Sequence, residues 1–149
     1  MSENDQLRAI ANEYMTSGQA WPATVRQIAA WAIEKGLWQP QLSDPVGQCA
    51  DLLAKAMCGD CITDPQGRTL RAKHAARFEQ QGKRISLWAD IRTASRQHLE
   101  AALRQRRQQI VSDCQQLKAD VDSFNETRSA ENPIEMDFDF THDLEGSSV

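Results

Sequence analysis

Between Gly82 and Pro133 the sequence contains neither glycine nor proline. Their absence removes the strongest punctuation a chain can carry and predicts one long uninterrupted element there. No run approaches the ~18–20 consecutive apolar residues that a membrane-spanning helix needs. The start, Met1-Ser2-Glu3-Asn4-Asp5, lacks the basic region and apolar core of a secretory leader, so a cytoplasmic location is expected. Cys49, Cys58, Cys61 and Cys114 are then expected to be reduced thiols rather than a disulfide framework. Also missing are a glycine-rich phosphate loop, an H-E-x-x-H pair and a nucleophile elbow, and neither His98 nor His142 has a recognisable nucleophile partner. The expectation is a protein that is not an enzyme and needs no cofactor.

The charge is unevenly placed. Formal net charge is only −4, yet residues 66–107 carry eleven Lys/Arg against three Asp/Glu, while residues 129–149 carry six acidic residues and no Lys/Arg. A basic stretch followed by an acidic end predicts an anion-seeking surface and a tail able to compete for it.

Leu7, Ile10, Ala11 and Tyr14 recur at helical spacing up to Gly18, which predicts a helix over 4–17. Thr24 and Gln27 form a capping box before Val25, Ile28, Ala29, Ala32 and Ile33, the expected buried stripe of a second helix ending at Gly36. Ser43-Asp44-Pro45 opens a third helix to about residue 58, with Val46, Ala50, Leu53 and Met57 on one face. Cys61-Ile62-Thr63, the turn Asp64-Pro65-Gln66-Gly67 and the return Arg68–Lys73 read as a hairpin. Residues 79–85 read as a loop, and a long helix is expected over 86–125. Trp88, Ile91, Ser95, His98, Leu99 and Ala102 form its docking side. From Ile110 through Cys114, Leu117, Val121 and Phe124 the gaps alternate four and three, a coiled-coil seam. Residues 103–124 would pair with a second copy into a homodimer. Residues 126–149 read as a mostly disordered acidic tail. Within it Ile134, Met136, Phe138 and Phe140 alternate with acids, a strand-like pattern suited to docking on the wing edge or on a protein partner.

Three helices and a hairpin are the order of a winged helix-turn-helix. Trp21-Pro22, Thr24 through Ala29, Glu34 through Trp38, Leu53 through Met57 and the wing Ile62 through Arg68 carry the resemblance. Over residues 3–76 the chain resembles the winged-helix module found beside restriction endonucleases and in the delta subunit of bacterial RNA polymerase. The fold class expected is therefore mainly α: a winged helix over 3–78, a long coiled-coil-like helix and an acidic tail. The resemblance implies nucleic-acid or polymerase association rather than catalysis. The third helix departs from a base-reading helix, since Asp44 and Asp51 flank Gln48 and Lys55.

Phosphate contact is therefore expected from Arg68, Arg71 and Lys73 of the wing, backed by Arg77, Lys83 and Arg84. Arg104, Arg106 and Arg107 would extend this track or simply solubilise the helix. Cys58 and Cys61 form a CxxC, and His74 follows at zinc-finger spacing, but no fourth ligand stands at residues 78–80. Structural thiols are the default reading, with Cys49 in the core. Trp21, Trp31, Trp38 and Trp88 lie beside apolar stripes, as core residues do. Two functions remain open: a DNA-binding accessory or regulatory protein whose tail is autoinhibitory, or a protein-interaction adaptor in which Ile134, Met136, Phe138 and Phe140 anchor in a partner.

Overall fold

The computed structural model describes residues 2–40 and 44–146. The chain divides into two compact units, Met1–Cys49 and Ala50–Val149. It is predominantly helical, with two small antiparallel hairpins.

In the first unit, α1 (Glu3–Thr16) begins with a capping box in which Ser2 and Asp5 satisfy each other's backbone N–H. The expected box of Thr24 and Gln27 opens α2 (Val25–Glu34) in the same way. Gly36, at φ +71°, ends it: the Leu37 N–H reaches back to the Ala32 carbonyl. The core between the helices is Ile10, Tyr14 and Ala32. The Tyr14 ring stands edge-on to Trp31 at 5.4 Å, and its hydroxyl donates to the Ala20 carbonyl. The stripe read as buried is so only in part, because Val25 and Ile33 are exposed.

Helix α3 (Pro45–Cys58) follows, with Gly47 N–H capped by the Asp44 carboxylate. No residue of this helix is buried. Val46 and Leu53 of the apolar face are exposed, and so is Cys49, expected in the core. Strands β1 (Cys61–Thr63) and β2 (Thr69–Arg71) form the first hairpin, with Ile62 opposite Leu70. Its turn closes through Gly67 N–H on the Asp64 carbonyl, and Gly67 takes φ +81°.

The chain then departs from the sequence expectation. Residues 79–85 are not simply a loop, and the long helix does not start at Ser86. Strands β3 (Lys73–Gln80) and β4 (Lys83–Asp90) form a second antiparallel hairpin, with Ala75 opposite Trp88 and Arg77 opposite Ser86. Gln81 at φ 51° and Gly82 at φ 75° make the two-residue turn, whose left-handed backbone matches strand twist. Ile85, Leu87 and Ala89 alternate as a strand requires, a pattern that the missing breakers do not exclude. Ala72 joins the hairpins: its N–H donates to the Asp60 carbonyl and its carbonyl accepts from Ile91.

Helix α4 (Arg96–Thr127) is capped by Ser95 and packs on β3. Ala72 and Ala76 are fully buried, and Ala102 nearly so, which lets helix and hairpin approach closely. His98 Nε2 meets the His74 carbonyl at 3.0 Å, and the Gln105 amide bonds both Arg77 N–H and Arg77 carbonyl. Along the seam Leu103, Ile110 and Leu117 are exposed. After α4 the chain turns back, and the Asn125 amide holds both backbone groups of Ile134. The short α5 (Thr141–Gly146) follows. Replacing Ala76 with Leu is expected to lower unfolding free energy by about 1–3 kcal/mol through overpacking. Denaturant unfolding checks this against Leu87→Ala, a change at an exposed position that should cost less.

Candidate nucleic-acid interface

The hairpin register decides which cations share a surface. Side chains alternate between faces, so the odd row of β3 and its β4 partners lie together: Lys73 with Asp90, Ala75 with Trp88, Arg77 with Ser86, Glu79 with Arg84. Helix α4 adds Arg106 and Gln109 beside that row, and the three parts line a groove of about 290 Å³. Arg71, Arg77 and Trp88 are in its wall, with no carboxylate among the lining residues. A neighbouring groove shares Arg71, His74 and Arg106 and is also free of carboxylates. A third shares Arg77 and Gln105, and adds Arg84 together with Glu79. Shared residues link the three into one track along α4, from β1–β2 at one end to Glu79 and Arg84 of β3–β4 at the other.

Not every expected cation is available to it. Arg68 is held by Asp64, Nε to carboxylate oxygen at 2.6 Å, and Asp64 also accepts backbone N–H groups of Gln66 and Arg68. The Arg68 backbone N–H, ahead of its guanidinium, keeps the Asp64 carboxyl below its usual range. Lys73 is bridged by Asp90 at 2.9 Å and Asp60 at 3.3 Å, and its side chain is only 29% exposed. Those carboxylates, Asp90 first, raise its pKa. Arg92 completes the cluster with two bonds to Asp90, and with Lys73 it pushes that carboxyl far below the carboxylate range. The phosphate role expected of Arg68 and Lys73 thus meets carboxylates already in place. Arg71, Arg77, Lys83, Arg84, Arg106 and Arg107 make no ion pair among the described residues, whereas Arg104 pairs with Glu100. Lys83 lines none of the three grooves.

The metal candidates do not converge. Cys58 and Cys61 are exposed, whereas His74 is buried with Nε2 2.9 Å from the Arg71 carbonyl. Among the described residues no group of three His, Cys, Asp or Glu is placed to hold a metal ion. The tail candidates lie elsewhere. Ile134, Met136 and Phe140 are exposed and Phe138 is half-buried against the Phe140 ring edge. Neither described hairpin gains a third strand from this segment, whose Ile134 backbone is taken by Asn125.

The structure places Trp88, expected as a core residue, and Arg106, expected either to extend the cation track or to solubilise the helix, together in the groove wall. The usable signal was spacing: Ala102, Arg106 and Gln109 lie on one helix face, and Trp88 alternates with Leu87 and Ala89. No family model, curated protein or solved structure matches the chain. No helix among the described residues is long and apolar enough to cross a membrane.

Since the folded state holds Asp90 ionised more strongly than the unfolded chain does, its stabilisation is complete above the ordinary carboxylate pKa of about 3.9. It fades as pH falls below that value toward the depressed folded one. Asp90→Asn is expected to lower the melting temperature at neutral pH and to flatten its decline below about pH 4. Thermal unfolding across a pH series checks both.

Proposed function

We propose that this chain binds nucleic acid through the arginine track. The observation that carries the reading is that Arg71, Arg77 and Arg106 converge on one groove without a carboxylate in its lining. None of the three makes an ion pair among the described residues. Phosphates would replace water and counterions around the guanidiniums, and release of the strand's condensed cations would drive affinity. In the winged-helix reading of residues 3–78, α1 to α3 are the helices and β1–β2 the wing. The element order supports that reading, and the second hairpin is an addition that brings the cations to α4. Pairing of two copies along the α4 seam would cover Leu103, Ile110 and Leu117 and double the phosphate contacts.

A second reading, a protein-interaction adaptor, is favoured by a different observation. The first unit carries an apolar cleft of about 500 Å³ between α1 and α2, lined by Leu7, Val25, Ile28, Ile33 and Trp38. Exposed Ile134, Met136 and Phe140 supply a further apolar patch.

A salt series of oligonucleotide binding separates the two. The nucleic-acid reading expects affinity to fall steeply with salt. Arg71→Ala with Arg106→Ala should then reduce the log–log slope by about 1.4–1.8. Arg68→Ala should leave the slope near its original value. Weak binding insensitive to salt and to these substitutions would leave the adaptor reading.

A further inference from the structure

Resting on the nucleic-acid reading above, we infer that the track takes a single strand rather than a duplex, with a base stacked on Trp88. The groove is recessed between hairpin and helix, and its wall includes Arg71, Arg77, Arg106 and Trp88. A duplex is read by elements that project into its grooves, a helix or a β-ribbon filling a major groove roughly 12 Å wide. A recessed slot offers nothing to project, but it admits an unpaired base and the phosphates on either side of it.

Trp88 is placed for that role. It is half-buried, so part of the indole is anchored while part faces the groove. Its cross-strand partner is Ala75, whose methyl group leaves the neighbouring surface low. On the same hairpin face Arg77 follows beyond Ala75, within reach of a phosphate flanking the stacked base. The grooves continue to both sides, through Arg77 toward Arg84 and through Arg71 and Arg106 in the other direction. A strand could therefore be held over several nucleotides.

Recognition in this slot is expected to rest little on base edges. Of the two amides in its lining, Gln105 spends both ends on the Arg77 backbone, and Gln109 gives one of its N–H groups to Asp113. Stacking and phosphate contact remain, and both are tolerant of sequence because every base has a π face.

Fluorescence anisotropy with labelled oligo(dT) of about 20 nucleotides, and with a mixed-sequence duplex of the same length, tests this on the full chain. Oligo(dT) is expected to bind more tightly than the duplex. Trp88→Ala should weaken oligo(dT) binding roughly 5- to 150-fold with the salt slope kept, and Trp88→Phe should restore most of the loss. Oligo(dT) should also quench indole emission of the wild type more than that of Trp88→Phe, a readout that does not need the alanine variant to fold. Duplex binding as tight as oligo(dT) would overturn the inference but leave the nucleic-acid reading standing. So would equal quenching in wild type and Trp88→Phe. Absence of salt-dependent binding to either probe would overturn both.

Discussion

A two-stranded hairpin leaves outward-facing peptide groups that must find partners, and the second unit is organised around meeting that demand on β3. Gln105 supplies a donor and an acceptor to Arg77 at once, as a neighbouring strand would, and His98 reaches the His74 carbonyl. Side chains of a helix can touch a strand backbone only at close range. Ala72, Ala76 and Ala102 permit that range because each presents a single carbon. The groove, its arginines and the exposed seam all take their positions from this contact.

The same contact sorts the charges. Clustered cations in a sequence are equal until carboxylates are placed among them. Asp64 is drawn to Arg68 by the tight turn, and Asp90 stands opposite Lys73 in the ladder while Arg92 folds back onto it. These pairs tie down turns and strand ends, where local geometry holds their members together. The guanidiniums of Arg71, Arg77, Arg84, Arg106 and Arg107, left without an ion pair among the described residues, come from β2, β3, β4 and α4. Under the proposed reading arginine suits phosphate better than lysine does, since its planar fork stays charged and binds phosphate oxygens in pairs.

Much of the fold was legible where signals are local. The Thr24–Gln27 box, Gly36, Pro45 and the Asp64–Gly67 turn each act within a few residues, and the elements they bound match expectation closely. The β4 strand was not legible in the same way. Ile85, Trp88 and Ile91 satisfy helical spacing, while Ile85, Leu87 and Ala89 satisfy alternation, so periodicity alone supports either form. The left-handed pair Gln81-Gly82 and the ladder to β3 settle it for the strand. The site was half legible: Arg71, Arg77 and Arg84 stand out as a cluster, but Trp88 and Arg106 join it only across β3–β4 and α4.

By itself, the amino-acid order determined the helix caps, the first hairpin and the separation of basic from acidic regions, because each is written in residues near one another in the chain. Only the tertiary structure decided which cations are free. Whether an arginine meets a carboxylate, a backbone carbonyl or open water depends on strand register and helix docking, and both are set by contacts between residues distant in the chain.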